Sequence, residues 1–187
     1  MIARAPADRW RGGTRHVALV VSVLAAAACA SPRVRAGVDP CTAPGADTAG
    51  WQVVDAGPLQ LSLPAAYERE EVRGIDSFVG HWVAPGRRLV AFDFGMYSDP
   101  LDDASTILVD YRECRTEIGG WPVKVVSGYD ERGRWHIEGK KYVVSAAWRD
   151  VHGGSHLTLS ATSAEASDLP SLLSIVRSVR FEGLEQR

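Results

Sequence analysis

Apolar and polar residues alternate with a period of two along three segments, and this pattern limits the possible fold more than any other feature. The segments are Leu59–Leu63, Val90–Met96 and Leu157–Thr162. In each of them every second residue is apolar, and small or polar residues lie between. Because successive side chains of a β-strand point to opposite faces of a sheet, the pattern predicts strands with one covered face.

Four further segments are strand candidates: Phe78–Val83, Val123–Ser127, Trp135–Ile137 and Tyr142–Trp148. Short turns that contain glycine separate the candidates, as at Gly153-Gly154. A parallel strand pair needs a crossover of about a dozen residues, and most of these intervals are shorter. The sequence therefore predicts a mainly antiparallel sheet of about six to seven strands.

The end of the chain carries a helical pattern. Apolar residues recur there at helical spacing and form one stripe: Leu169, Leu172, Leu173, Val176 and Val179. Asp168 is the candidate N-cap, and Pro170 is tolerated in the first turn. Less regular patterns predict a short helix within Asp102–Val109 and a helical turn within Pro64–Arg73. The expected fold class is α+β, with the helices packed on the sheet.

Length and composition point to one globular domain. The chain has 187 residues, of which 45% are hydrophobic and 24% are charged. The net charge of −2 argues against a nucleic-acid partner, which would favour a basic surface. Residues 30–50 are rich in Ala, Pro, Gly and Thr and predict a flexible linker. We expect the folded domain at 51–183 and a short tail at 184–187.

The first 29 residues are typical of a bacterial export signal. Four arginines and one aspartate precede an apolar run of 12 residues, Val17–Ala28, broken by Ser22. A membrane-spanning helix needs about 20 apolar residues, whereas the core of a signal peptide needs about 7 to 15. We therefore interpret residues 1–29 as a signal peptide.

Two outcomes of processing are open. The small residues before Cys29 resemble a lipobox, which would make a lipid-modified Cys29 the new N-terminus and anchor the protein to a membrane. The sequence departs from the usual lipobox at one position, because Ala26 lies where lipoboxes usually have Leu. Alternatively, Ala28-Cys29-Ala30 forms an A-x-A site, and cleavage before Ser31 releases a soluble protein.

The cysteine count agrees with export. If Cys29 is lipidated or removed, Cys41 and Cys114 remain as an even pair. In an oxidising compartment such a pair predicts a disulfide bond. The expected location is the periplasm, the cell surface or the extracellular medium.

The order of the elements resembles the Mog1/PsbP-like α/β/α sandwich. The resemblance covers about residues 51–183. It rests on a leading strand that runs into Leu-Pro-Ala-Ala-Tyr at 63–67 and on Ile-Val-Arg-Ser-Val-Arg-Phe at 175–181. Members of this group include exported bacterial lipoproteins and photosystem accessory proteins, many of them non-catalytic. The resemblance implies the sandwich fold and an accessory or binding role, and it assigns no functional residue.

Four residues are candidates for a ligand-binding site: Asp76, His81, Asp93 and Tyr97. Asp93 and Tyr97 alternate with the apolar residues of their strand, so they share its other face. If the strand with His81 is the hairpin neighbour, its imidazole approaches Asp93. Such a pair with Asp76 would suit acid–base catalysis in a hydrolase-like enzyme, the alternative to ligand or partner binding.

Other candidate sites have less support. His152 and His156 have the spacing of a zinc pair on a helix, but two glycines lie between them and indicate a turn, so no metal is expected. The sequence lacks G-x-S-x-G, H-E-x-x-H, G-x-G-x-x-G and C-x-x-C, and no cofactor is expected. Some of the five tryptophans from Trp51 onward could lie on an open sheet face and bind peptide, glycan or protein.

The favoured interpretation is an accessory or binding protein of the bacterial envelope. Its partner would be an unidentified envelope protein or small ligand, with membrane attachment through Cys29 if that residue is lipidated. The sequence does not favour an enzymatic activity over this role, and the hydrolase is kept as the alternative.

Overall fold

The computed structural model describes residues 37–135, Gly139 and 141–183. The predicted signal peptide with Cys29, the first part of the predicted linker and the tail at 184–187 lie outside the described residues. Within the described part of the chain, no helix is long and apolar enough to cross a membrane.

Ten strands and two α-helices make up the described chain. The strands are β1 (Gln52–Asp55), β2 (Leu59–Leu63), β3 (Glu68–Glu70), β4 (Phe78–Ala84), β5 (Arg88–Gly95), β6 (Val109–Ile118), β7 (Trp121–Asp130), β8 (Lys141–His152), β9 (Ser155–Ser163) and β10 (Arg180–Phe181). The helices are α1 (Ala104–Ile107) and α2 (Leu169–Arg177), and a 3₁₀ turn at Ala166–Asp168 precedes α2.

The strands form two antiparallel sheets. The large sheet has the order β3-β4-β5-β9-β8-β7-β6, and the small sheet has the order β1-β2-β10. The predicted antiparallel α+β architecture is confirmed at this level. The small sheet joins distant parts of the chain, since Arg180 in β10 pairs with Gln60 in β2.

Helix α2 covers one face of the large sheet and forms much of the main core. Its buried residues include Leu172, Leu173 and Val176, which belong to the predicted stripe. They pack against β8, β9 and β2, so the helix also joins the two sheets. Burying a side chain of this size contributes about 1.5–3 kcal/mol.

The predicted N-cap of α2 has a different role. Asp168 makes no cap hydrogen bond, and its carboxylate instead accepts from Arg88 Nε at 2.7 Å and from the Ser163 hydroxyl. Burial acts to raise the pKa of Asp168, but these two donors outweigh it and hold the pKa below its ordinary value. The pair thereby fixes the start of β5 to the start of α2.

The opposite face of the large sheet is covered in part by α1, Leu101 and Trp135, which form a second apolar cluster. The backbone N–H of Trp135 donates to Asp130 at 2.6 Å, and its indole N–H donates to Ser160 at 3.3 Å. The Ser145 hydroxyl also donates to Ser160, at 2.8 Å. Small polar residues of this face are therefore buried and hydrogen-bonded beneath an aromatic ring.

The described part of the predicted linker is folded onto the domain. Three of its backbone carbonyls accept hydrogen bonds from side chains: Val38 from Ser127, Pro40 from Arg177 at 2.9 Å, and Ala46 from Ser174 at 3.0 Å. From Gly37 onward the described chain belongs to one compact unit. The folded domain therefore begins earlier than the predicted boundary at Trp51.

The predicted disulfide is present. Cys41 is bonded to Cys114; their Cα atoms are 6.1 Å apart, and the two residues are 73 positions apart in the sequence. The bond attaches the N-terminal segment to β6, which is an edge strand of the large sheet.

Three local predictions were wrong or incomplete. The helical turn expected within Pro64–Arg73 is a short turn followed by β3. Trp135 lies in an irregular loop and not in the expected strand, whose other two residues lie outside the described chain. Strand β6 was not predicted at all. The short helix expected within Asp102–Val109 is present as α1.

Candidate functional site

A cavity of about 340 Å³ lies where several loops meet at one end of the large sheet. We call it the loop-end cavity. It is lined by Met96, Tyr97, Ser98, Asp99, Pro100, Asp102, Ala147, Trp148, Arg149 and His156. Its volume falls within the range of about 300–1,000 Å³ that is usual for ligand pockets.

The first wall is the loop that follows β5. Ser98 is buried, and its hydroxyl donates to the backbone carbonyl of Asp93 at 2.9 Å. The carbonyl of His156 lies 3.2 Å from the same hydroxyl. These contacts fix the loop to the ends of β5 and β9.

Leu101, in the same loop, has a strained backbone conformation. Its side chain is buried and its φ is 59°, in the left-handed region that bulky residues rarely adopt. The Asp99 carboxylate accepts the Leu101 N–H at 2.7 Å, and Lys124 Nζ donates to the Leu101 carbonyl at 2.8 Å. Strain of about 1–3 kcal/mol persists only where surrounding contacts impose it, and it is concentrated at functional sites.

The second wall is an irregular part of the β8–β9 hairpin. The register shifts between Trp148 and His152, and Asp150 has a φ of 54°. The Asp150 N–H donates to Nδ1 of His156 at 3.1 Å. Because Nδ1 accepts a hydrogen bond, the neutral ring carries its proton on Nε2, which is left as a donor.

Opposite charges are paired along the wall. Asp102 lies between Arg149 Nη2, at 3.1 Å, and Lys124 Nζ, at 3.5 Å. The side chains of Asp102 and Arg149 are more than half exposed, and an ion pair of this kind contributes about 0–1 kcal/mol. A ligand can therefore displace this pair at low energetic cost.

Lys124 also lies near a second carboxylate. Glu113 lies 3.7 Å from Lys124 Nζ and accepts a hydrogen bond from the Tyr111 hydroxyl. The Tyr111 hydroxyl, with help from Lys124, lowers the pKa of Glu113. Burial and the hydrogen bond to Glu113 raise the pKa of Tyr111 to about 12. Lys124 thus faces two carboxylates, those of Asp102 and Glu113.

Exposed apolar side chains surround the mouth of the cavity. Met96 is 64% exposed and Tyr97 is 78% exposed. Ile75 is also fully exposed, and the loop that carries it packs against the end of β5 through Ser77 and Gly95. The aromatic ring available for stacking is therefore that of Tyr97. Of the tryptophans, Trp82, Trp135 and Trp148 are buried, and Trp51 and Trp121 are half-buried.

The structure separates the four predicted site residues. Tyr97 lines the loop-end cavity, and the backbone of Asp76 lies beside Gly95 at the same end of the sheet. His81 pairs in register with Ala91, and its Nδ1 lies 3.7 Å from the Glu70 carboxylate. The carboxylate that His81 contacts is therefore that of Glu70.

Asp93 lies on the same sheet face as His81 but in a diagonal position, opposite Val79. Diagonal neighbours in a sheet are about 7–8 Å apart, and the described chain shows no hydrogen bond or ion pair between these two side chains. One Asp93 carboxylate oxygen is buried with no hydrogen-bond partner in the described chain. Ligand binding by the four predicted residues stays a prediction.

Sequence reasoning missed Asp99, Asp102 and Arg149, and it treated His156 only as half of a zinc-like pair. The side chain of His152 lies outside the described atoms. No group of three or more His, Cys, Asp or Glu residues in the described chain is arranged to hold a metal ion. No local motif marks the missed residues, because the shifted register of the β8–β9 hairpin brings them together.

Comparison with known proteins gives little functional information. No family model and no curated protein matches the chain. A solved structure from Bacteroides thetaiotaomicron is similar over 71% of this chain, with 12% identity and a TM-score of 0.42, and this match covers about half (48%) of the length of that protein. A protein of unknown function from Pseudomonas aeruginosa is similar over 65% of this chain and 87% of its own, with 14% identity and a TM-score of 0.36.

Proposed function

We propose that this chain is an exported binding protein of the bacterial envelope, and that its loop-end cavity holds a small, uncharged ligand rich in hydroxyl groups. The main support is the cavity wall around Leu101, which has a strained backbone. Leu101 donates its N–H to Asp99 and accepts from Lys124, and the Thr158 hydroxyl in turn donates to the Asp99 carbonyl. A binding site must be held rigid before the ligand arrives, because ordering it on binding lowers affinity.

The chemistry of the wall supports this ligand class. Asp99 and Asp102 offer carboxylate acceptors, whereas Arg149 and His156 Nε2 offer donors. Tyr97 adds an exposed ring against which an apolar face of the ligand can pack. Because the carboxylates of Asp102 and Glu113 are already paired with Arg149 and Lys124, an uncharged ligand suits the cavity better than an anion.

A binding role also agrees better with this wall than hydrolysis does. The hydroxyl of Ser98 donates to a backbone carbonyl, so it is not activated by an imidazole base. The imidazole of His156 accepts from a backbone N–H through Nδ1. Neither arrangement activates a nucleophile.

The cellular setting belongs to the same proposal. The Cys41–Cys114 disulfide is consistent with an oxidising compartment. The signal-peptide pattern supports export, and the lipobox-like residues before Cys29 support a lipid anchor. The Mog1/PsbP-like resemblance supports an accessory role. Mass spectrometry of the processed N-terminus tests this setting: a lipidated Cys29 is the expected result, an unmodified Ser31 rejects the anchor, and retention of Met1 in the cytosol rejects export.

The ligand is tested by NMR titration with soluble N-acetylglucosamine oligosaccharides. We expect saturable shifts of the amides of Tyr97, Arg149 and His156. Tyr97→Ala should weaken binding about tenfold, because exposed aromatic rings carry much of the energy at such sites. Val83→Ala removes an exposed apolar side chain elsewhere and should leave affinity unchanged. The proposal is rejected if these amides do not shift, or if Tyr97→Ala binds like the unmodified protein.

A further inference from the structure

A second cavity, of about 440 Å³, lies between the small sheet and the end of α2. We call it the two-arginine cavity. It is lined by Thr48, Val53, Gln60, Leu61, Ser62, Ser174, Arg177, Ser178 and Arg180. Two guanidinium groups, four hydroxyls and one carboxamide are therefore present in a wall that contains no acidic residue.

Neither arginine has a carboxylate partner in the described chain. Arg177 Nη2 donates to the Pro40 carbonyl at 2.9 Å, and Arg180 Nη1 donates to the Val179 carbonyl at 3.2 Å. A guanidinium has five N–H donors, so each side chain keeps several unused. Arg88 and Arg149 differ in this respect, because each of them forms an ion pair with an aspartate.

Two of the four hydroxyls on the cavity wall also lack a hydrogen-bond partner in the described chain. Ser174 and Ser178 donate to the backbone carbonyls of Ala46 and Ile175, which fixes their orientation. The hydroxyls of Thr48 and Ser62 make no hydrogen bond to another described residue, and they stand as further donors on the cavity wall.

Two carboxylates lie beside the cavity. Asp55 is exposed and pairs with the lining residue Gln60 across β1 and β2. Glu182 accepts a hydrogen bond from the carboxamide of Gln60, which is a lining residue. It is exposed, so solvent screens its charge. Glu182 should therefore weaken anion binding slightly without neutralising the two arginines.

We propose that the two-arginine cavity binds a phosphate ester. Guanidinium groups pair with phosphate oxygens through two parallel hydrogen bonds, and hydroxyls can fill the remaining acceptor positions. The volume exceeds that needed for an inorganic ion alone, so the ester carries an organic group. The ester can be soluble, or it can be the headgroup of a phospholipid.

Calorimetric titration with glycerol phosphate and with inorganic phosphate tests the site. We expect saturable binding of glycerol phosphate that weakens as NaCl is added, and weaker binding of inorganic phosphate. Arg180→Gln should weaken glycerol phosphate binding about tenfold, because it removes one charged donor pair. Arg180 bonds only its neighbouring carbonyl, so this variant should fold normally. Arg177→Gln should have a similar effect but also removes a contact to Pro40.

Two control variants make the result specific. Arg73→Gln removes an exposed arginine from a distant loop and should leave affinity unchanged. Glu182→Gln removes the neighbouring negative charge and should strengthen binding about twofold to threefold. The proposal is overturned if glycerol phosphate does not bind up to about 10 mM and anionic vesicles do not bind either. It is also overturned if binding is the same in Arg180→Gln and Arg73→Gln.

The source of the phosphate is resolved with vesicles. The protein carries Cys29→Ser in this experiment, so that a lipid anchor does not contribute. A lipid headgroup is supported if the protein floats with phosphatidylglycerol-containing vesicles but not with phosphatidylcholine vesicles, and if this flotation is lost in Arg180→Gln. Binding of glycerol phosphate without flotation supports a soluble ester. Flotation that persists in Arg180→Gln, without glycerol phosphate binding, overturns the site.

Discussion

Removing the Cys41–Cys114 disulfide should lower the free energy of unfolding by about 4 kcal/mol. The bond closes a loop of 73 residues, and the chain-entropy relation gives about 4.4 kcal/mol at 25 °C for a loop of that length. For a domain of this size, each kcal/mol shifts Tm by about 2–4 °C, so Tm should fall by roughly 8–16 °C. The perturbation is the double variant Cys41→Ser, Cys114→Ser.

Equilibrium unfolding in urea, followed by tryptophan fluorescence, measures this change. Unmodified protein treated with a reductant is the control, and its midpoint should match that of the double variant. A loss below about 1 kcal/mol would refute the argument, because it would mean that the cross-link does not restrict the unfolded chain. A large loss in the double variant, with no effect of the reductant, would instead assign the change to the substituted side chains.

Two further predictions concern single residues. Asp168→Asn should lower the free energy of unfolding by about 1.5–3 kcal/mol at neutral pH, because it removes the negative charge and leaves one acceptor oxygen where the carboxylate offers two to Arg88 and Ser163. The folded-state pKa of Asp168 lies below the ordinary value of 3.8. The difference in unfolding free energy between the variant and the unmodified protein should therefore be constant above pH 3.8 and shrink as the pH falls through the folded-state pKa. A difference that grows on acidification would contradict this. Gly80→Ala should cost about 1–3 kcal/mol, because the added methyl group would collide with the ring of Phe92. Thermal unfolding of Gly80→Ala beside Gly50→Ala, where a methyl group meets no atom but the φ is 78°, separates the collision from backbone strain.

The strands that the sequence predicts are those with at least one buried face. In β2 the leucines at 59, 61 and 63 are buried and the residues between are half-buried, so the alternation is visible. The edge strand β6 has no such pattern. Seven of its nine residues from Val109 to Glu117 are exposed, and Tyr111 and Cys114 are half-buried. Within the large sheet, β6 pairs with β7 on one side and has no strand on the other. A strand without a buried face leaves no period in its sequence.

The N-terminal segment escaped prediction for a different reason. Side chains elsewhere bind its backbone carbonyls at Val38, Pro40 and Ala46. Every residue has such a carbonyl, so composition alone cannot distinguish this docked segment from a flexible linker. The loop-end cavity was missed for a related reason, since the irregular register of the β8–β9 hairpin places Arg149 and His156 beside the loop after β5.

The pairing of β10 with β2 has a consequence for the order of events in the cell. Arg180 and Phe181 complete the small sheet by bonding to Gln60 and Leu59, about 120 positions earlier in the chain. The small sheet therefore cannot close while the C-terminal residues are still inside the ribosome. A precursor that is exported as proposed would therefore complete its small sheet only after Arg180 and Phe181 have left the ribosome.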